Sequence, residues 1–100
     1  MNRQNAFSPV WGKAVIRTTT TASSRIIFGK GNRSLWVTNQ DATDGIYFRV
    51  GDSTVEADVT DVYLAPLGSV SVTISQDHDY IACESVANTP SVHAMPGSGQ

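Results

Sequence analysis

Hydrophobic and polar residues alternate along most of this chain with a period of two, the pattern of half-buried β-strands. The clearest run is 69–75, where Val70, Val72 and Ile74 alternate with serine and threonine. Similar runs are separated by short segments rich in glycine, proline, asparagine and aspartate, which favour turns. Together they predict eight strands, near residues 14–21, 24–29, 33–39, 45–51, 60–65, 69–75, 79–85 and 90–95.

This density of short strands and turns predicts an all-β fold. We expect a single antiparallel β-sandwich, Ig-like or jelly-roll-like, with about seven to eight strands. A chain of 100 residues suits one domain. Residues 14–95 form the predicted sandwich, residues 1–13 an extended N-terminal arm, and residues 96–100 a C-terminal tail.

The N-terminal arm carries apolar side chains that a solvated tail would not normally contain. Two interpretations stay open. The arm folds back and caps its own sandwich, or it extends and its aromatic residues anchor in a neighbouring subunit. The predicted partner-binding residues of the arm are Phe7, Pro9, Val10 and Trp11.

A second group of aromatic residues falls on strand positions opposite the inward alternation. Trp36, Tyr47 and Tyr63 are predicted to form an exposed aromatic face. Such a face either completes the edges of the sandwich or binds a partner, which could be a protein or a carbohydrate. Polar groups suited to sugar binding are not obvious beside these residues, so the pattern favours a protein partner.

The charge composition argues against nucleic acid as a partner. Charged residues make up 16% of the chain, against about 25% in ordinary soluble proteins. The net charge is −2, and the seven basic residues are scattered, whereas phosphate binding needs them clustered. No apolar run approaches the length of a membrane span, and the N-terminus lacks a secretory signal. We therefore expect neither nucleic-acid nor membrane binding, and synthesis in a cytoplasm.

The sequence offers little catalytic chemistry. The single cysteine, Cys83, excludes an intramolecular disulfide and is expected to be a buried, inert thiol. His78 stands between two aspartates, but consecutive residues point in different directions and do not converge on one ion. His93 is expected at the surface or in an interface. Two acidic pairs lack the regular spacing of a calcium loop: Asp41 with Asp44, and Asp58 with Asp61. We expect no catalytic residues, no cofactor and no metal.

Seven segments carry a resemblance that extends over most of the chain: Phe7-Ser8-Pro9-Val10, Thr18-Thr19-Thr20-Thr21-Ala22-Ser23-Ser24, Leu35-Trp36-Val37-Thr38-Asn39, Ile46-Tyr47-Phe48-Arg49-Val50-Gly51, Leu64-Ala65-Pro66-Leu67-Gly68-Ser69, Tyr80-Ile81-Ala82 and Met95-Pro96-Gly97-Ser98-Gly99. This series resembles small structural proteins of tailed-bacteriophage virions, of the head decoration or cement type. The turn Ala65-Pro66-Leu67-Gly68 departs by one residue from the Leu-Pro-Gly turn of such proteins.

The resemblance implies a structural role in a virion assembled in the cytoplasm of a host bacterium. It implies binding to major capsid or other virion proteins, as a homo-oligomer or as copies bound to a lattice. A neck, tail or fibre-base location is an alternative. A carbohydrate- or receptor-binding β-sandwich module is another.

Overall fold

The computed structural model describes residues 7–98 of the chain. Two antiparallel β-sheets pack face to face and contain nine strands in this part of the chain. The strands are β1 (Ser8–Pro9), β2 (Val15–Thr18), β3 (Ser24–Ile27), β4 (Ser34–Asn39), β5 (Ile46–Gly51), β6 (Val62–Leu64), β7 (Ser69–Thr73), β8 (Tyr80–Ser85) and β9 (Ser91–Ser98). The predicted all-β sandwich is confirmed. All eight predicted strands are present, and β1 is an addition to them.

Strands close in sequence are divided between the two sheets. The five-stranded sheet has the order β1-β9-β4-β7, and β2 pairs with β9 on the same side as β1. The four-stranded sheet has the order β3-β8-β5-β6. Across residues 7–98, no helix is long and apolar enough to cross a bilayer.

The core lies between the inner faces of the two sheets. Leu35 and Val37 of β4 face Ile46 and Phe48 of β5, and all four side chains are at most 2% exposed. The period-2 pattern directs alternate side chains of each strand to this layer. Burial of each large side chain contributes about 1.5–3 kcal/mol relative to its exposure.

The C-terminal strand is longer than the sequence indicates. Residues 96–98, assigned to the predicted tail, continue β9, which runs between β1 and β4. Proline is unexpected in a central strand because it lacks the N–H that pairs with a neighbour. The carbonyl of Pro96 accepts a hydrogen bond from Val10 N at 2.9 Å. The missing N–H therefore faces the irregular β1–β2 edge rather than β4, and the strand tolerates the proline.

A buried amide joins the loops at the other end of the sandwich. The Asn39 side chain is fully buried, and its Nδ2 donates to the carbonyl of Asp44 at 2.8 Å and to those of Leu64 and Ala65 at 3.3 Å. Its Oδ1 accepts from Asp41 N at 3.0 Å. These hydrogen bonds attach the loop after β4 to the turn between β6 and β7.

Candidate protein-binding surface

The outer face of the five-stranded sheet is accessible and uncharged. We use the term open face for seven residues there: Phe7, Pro9, Ile16, Trp36, Thr38, His93 and Met95. Register places Trp36 opposite Met95 and Thr38 opposite His93 on neighbouring strands. Within residues 7–98, the outward positions of these five strands include no Asp, Glu, Lys or Arg. The open face contains a shallow groove of about 470 Å³, and its exposed side chains offer apolar surface without charge.

An aromatic pair stands at the centre of the open face. The ring centroids of Phe7 and Trp36 are 5.8 Å apart with the planes tilted by 50°, a favourable arrangement for aromatic rings. Phe7 can approach because Gly97 lies beneath it. A Cβ at Gly97 would come 2.7 Å from Phe7 Cζ and would also collide with the carbonyl oxygen of Ser8. The glycine therefore lets the arm pack against the sheet.

The predicted arm folds back over residues 7–10. Ser8 and Pro9 pair with Ser98 and Gly97 of β9, which is the arrangement expected of an arm that caps its own sandwich. Phe7 and Pro9 lie on the open face, whereas Val10 lines a different pocket at one end of the sheet. Trp11 projects from a turn and is 82% exposed. Residues 1–6 lie outside the described part of the chain. Partner binding by Phe7, Pro9, Val10 and Trp11 stays a prediction.

The structure divides the predicted aromatic face between two surfaces. Trp36 is on the open face, whereas Tyr47 and Tyr63 are on the outer face of the four-stranded sheet, where their centroids are 5.3 Å apart. Alternation identifies outward positions on both β4 and β5, but these strands belong to different sheets. Their outward residues consequently point in opposite directions, and the three aromatic side chains do not form one surface.

The outer face of the four-stranded sheet is partly covered by residues 52–61, which we term the covering segment. Arg25 Nη1 donates to the carbonyl of Val55 at 3.2 Å, and Ala57 N donates to Ser23 Oγ at 2.9 Å. Arg49 and Asp61 form an ion pair at 3.7 Å on this side. Ala82, an outward residue of β8 that lies between Arg25 and Arg49, is fully buried. This face therefore carries charged side chains and a partial cover, while Ile27 and Tyr63 on it remain 51% exposed.

The chemically reactive side chains have structural roles. Cys83 lies in the core, and burial raises the pKa of its thiol to about 12. His78 Nδ1 accepts from Ser75 N at 3.3 Å within a turn. Among residues 7–98, no group of three or more His, Cys, Asp and Glu residues is placed to hold a metal ion.

The acidic residues shape turns through an Asp-x-Thr pattern that occurs three times. The carboxylates of Asp41, Asp52 and Asp58 each accept from the amide and hydroxyl of the threonine two residues later. Asp41 also accepts from Asp44 N at 2.6 Å. These hydrogen bonds lower the pKa of all three carboxyls. The motif is visible in the sequence as an Asx-turn signal.

Four members of the open face were not among the predicted site residues: Ile16, Thr38, His93 and Met95. The sequence does indicate that His93 and Met95 point outward, because they alternate with Val92 and Ala94, whose side chains are buried in the core. Placing β9 beside β4 requires knowledge of strand order. Alternation alone does not supply that order.

No protein-family model matches this chain. No curated protein sequence matches it either. Among solved structures, it is similar to a Bacillus endospore appendage described as a disulfide-linked pilus, at 14% identity and a TM-score of 0.48, over 100% of this chain and 93% of that chain. It is similar to Aeromonas hydrophila PliG, a periplasmic inhibitor of g-type lysozyme, at 9% identity and a TM-score of 0.49, over 94% and 86% of the two chains.

A phage protein is also among the similar structures. The cyanophage Pam1 capsid asymmetric unit matches at 14% identity and a TM-score of 0.40, over 97% of this chain and 86% of that chain. All three TM-scores are below 0.5, so we take no functional argument from these likenesses.

Proposed function

We propose that this chain is a structural protein of a tailed-bacteriophage particle, a decoration or cement protein that binds across major capsid subunits and stabilises the head. The observation that supports the proposal is the open face. It presents apolar and aromatic side chains without Asp, Glu, Lys or Arg. The sequence resemblance to small virion proteins supplies the setting.

The chemistry of the open face suits a lattice partner. Protein interfaces are depleted in charge at their centres and enriched in aromatic residues and methionine. The Phe7–Trp36 pair is the central anchor in this proposal, because tryptophan and other aromatic residues often dominate interface energies. Each copy would contribute a modest binding free energy, and many copies on one particle would together give durable attachment. In the same proposal the chain has no catalytic role.

The test uses two isoleucines in matched positions. Ile16 of β2 is 59% exposed on the open face, and Ile27 of β3 is 51% exposed on the other sheet. Each would be replaced by aspartate in the phage that encodes the chain, and the copies per purified particle would be counted by quantitative mass spectrometry. We expect Ile16→Asp to lower occupancy at least tenfold, since the carboxylate must be desolvated in an apolar interface.

The control determines the interpretation. Ile27→Asp should leave occupancy unchanged, and both variants should unfold at the same denaturant concentration. Absence of the unmodified chain from purified particles would overturn the virion assignment. Equal occupancy of the two variants would overturn the role of the open face.

A carbohydrate-binding function is a second candidate, favoured by the Tyr47–Tyr63 pair. The Tyr63 ring lies over Gly45, where an added Cβ would be 2.6 Å from Tyr63 Cζ, and the residue is half exposed. Flat aromatic rings with polar neighbours can bind sugars, and Glu84 lies opposite Tyr47. A glycan array probed with the unmodified chain and with Tyr63→Ala tests this candidate. Sugar binding that Tyr63→Ala abolishes would support it, and no binding would overturn it.

A further inference from the structure

The edge formed by β1 and β2 contains an outward bulge. Pro9 lies opposite Gly97 and Val15 opposite Ala94, so this edge has three more residues than the matching stretch of β9. The extra residues form a turn in which Lys13 N donates to the carbonyl of Val10 at 3.2 Å. Gly12 adopts a φ of +76° within it, a conformation that favours glycine. The turn holds Trp11 almost fully in solvent.

A basic pocket adjoins the bulge. It has a volume of about 300 Å³, and the lysines Lys13 and Lys30 line it together with apolar residues. No acidic residue lines it. The one ion pair found among residues 7–98 joins Arg49 and Asp61. Neither Lys13 nor Lys30 therefore has an ion-pair partner in this part of the chain. Trp11 therefore lies near two lysines that have no ion-pair partner within residues 7–98.

The opposite side of the sandwich has an apolar groove. It opens between β6 and β7, the edge strands of the two sheets, and has a volume of about 450 Å³. We term it the edge groove. Its apolar lining comes from Phe48, Val50, Val62, Val72 and Ile74. The groove is large enough to accept an indole ring.

The surface next to the edge groove is acidic. An adjoining polar pocket shares Arg49, Val50 and His78 with the groove. Its further lining includes four acidic residues: Asp52, Glu56, Asp58 and Asp77. The two sides of the sandwich are thus complementary in character. One has an exposed tryptophan beside two lysines, and the other an apolar groove, lined also by the Arg49–Asp61 ion pair, beside four further carboxylates.

The two features lie at the same level of the five-stranded sheet. Val10 bonds to Pro96, Pro96 lies opposite Leu35, and Leu35 lies opposite Val72. These residues form one row across the sheet, with Trp11 next to its first member and the edge groove at its last. A second copy displaced along this row would meet the groove with its own bulge.

We propose that the bulge of one copy binds the edge groove of the next, with Trp11 inserted in the groove and Lys13 and Lys30 facing the acidic residues. The contact joins two different surfaces, so each copy presents one of each and the assembly continues into a ring or a row. It uses surfaces separate from the open face and does not rest on the proposed function.

The first experiment measures self-association of the purified chain by analytical ultracentrifugation. We expect Trp11→Ala to weaken it about 30-fold, the effect of removing a central tryptophan anchor. Added salt should weaken the unmodified contact, because the lysine–carboxylate attraction is screened. Val86→Ala, an exposed apolar residue in a loop at the other end of the sandwich, is the control and should have no effect. A monomer at every concentration, or an unchanged association of Trp11→Ala, would overturn the proposal.

The second experiment reverses the charges. Lys13→Glu with Lys30→Glu gives one variant, and Glu56→Lys with Asp77→Lys gives another. Each alone should fail to self-associate, since like charges would meet. Mixed in equal amounts they should associate again, because every bulge then meets a groove of opposite charge. A mixture that stays monomeric would overturn the proposed pairing.

Trp36→Leu separates this contact from the proposed function. The variant alters the open face and should self-associate normally. Normal self-association with reduced particle occupancy would support both proposals. Loss of self-association in Trp36→Leu would count against the separation of the two surfaces.

Discussion

In both sheets, alternate residues of each strand point outward. The two outer faces differ in what lies over these outward residues. On the five-stranded sheet, outward residues such as Trp36 and Ile16 remain accessible. On the four-stranded sheet, the covering segment is hydrogen-bonded to Ser23 and Arg25, and the outward residue Ala82 is fully buried. The five-stranded sheet carries neither Lys, Arg, Asp nor Glu at its outward strand positions in residues 7–98, whereas the other sheet presents Arg25, Arg49 and Glu84.

This difference shows how exposure and function are related in a small sandwich. The chain supplies a cover for one sheet from the connection between β5 and β6, and the hydrogen bonds of Arg25 and Ser23 hold that cover in place. On the other sheet, the fold-back of residues 7–10 covers only one end. A face without charge and without a full cover is the one suited to burial against another protein.

The largest expected difference between the two faces concerns overpacking. Replacement of Ala82 by leucine should lower the free energy of unfolding by about 1–3 kcal/mol, because the larger side chain must displace the covering segment. Thr38→Leu, at an outward position on the central strand β4, should change it by less than about 0.5 kcal/mol. Urea unfolding of both variants measures the effects. Equal losses would contradict the distinction between a covered and an open face.

A smaller effect is expected where a glycine supports an aromatic ring on each face. Gly97→Ala should cost about 1–2 kcal/mol, because its Cβ meets the backbone of Ser8 as well as Phe7. It should also release the arm, seen as faster hydrogen exchange of Val10 N–H and a red shift of Trp36 fluorescence. Gly45→Ala should cost less, since the three atoms nearest to the added Cβ all belong to the Tyr63 side chain, which can move. The reverse order would show that the arm is not held by this close approach.

The smallest effect concerns acid. Hydrogen bonds from Thr54 and Thr60 lower the pKa of Asp52 and Asp58 in the covering segment. Because the pKa of each carboxyl is lower in the folded than in the unfolded chain, its ionised form stabilises the fold. This stabilisation is fully present above the unfolded pKa, near 3.8. It is lost as the pH falls through the lower pKa of the folded chain. We therefore expect the covering segment to loosen below about pH 4 while the open face, without carboxylates, stays unchanged. Amide shifts of Thr54 and Thr60, compared with Thr38 in an acid titration, measure this. Equal changes at all three amides would contradict it.

The strands themselves could be predicted because alternation is a local property. Val70, Val72 and Ile74 identify the inner face of their segment without reference to any other strand. Alternation does not predict the two-residue strand β1, because that strand is defined by its pairing with Ser98 and Gly97, which are far away in the sequence. Pro96 predicts the end of a strand, because proline lacks the N–H that pairs with a neighbouring strand, yet β9 continues to Ser98. Its missing N–H is tolerated only because the irregular edge lies on that side.

The candidate surface was partly predictable for the same reason. Outward positions at Trp36, Tyr47 and Tyr63 follow from alternation, but assignment to a sheet depends on long-range pairing. Alternation therefore predicts one face for the three aromatic residues, whereas the structure separates Trp36 from the two tyrosines. Phe7 reaches Trp36 through contacts between residues far apart in the chain, which no local pattern reveals.

The position of β9 affects the order in which the sheets can form during synthesis. It is the last of the nine strands to leave the ribosome, yet it lies between β4 and the β1–β2 edge. All strands of the four-stranded sheet are made before it, so that sheet can pair while the centre of its partner is still absent. Pairings between distant strands are slow to form. The open face is consequently completed only after β9 has been made.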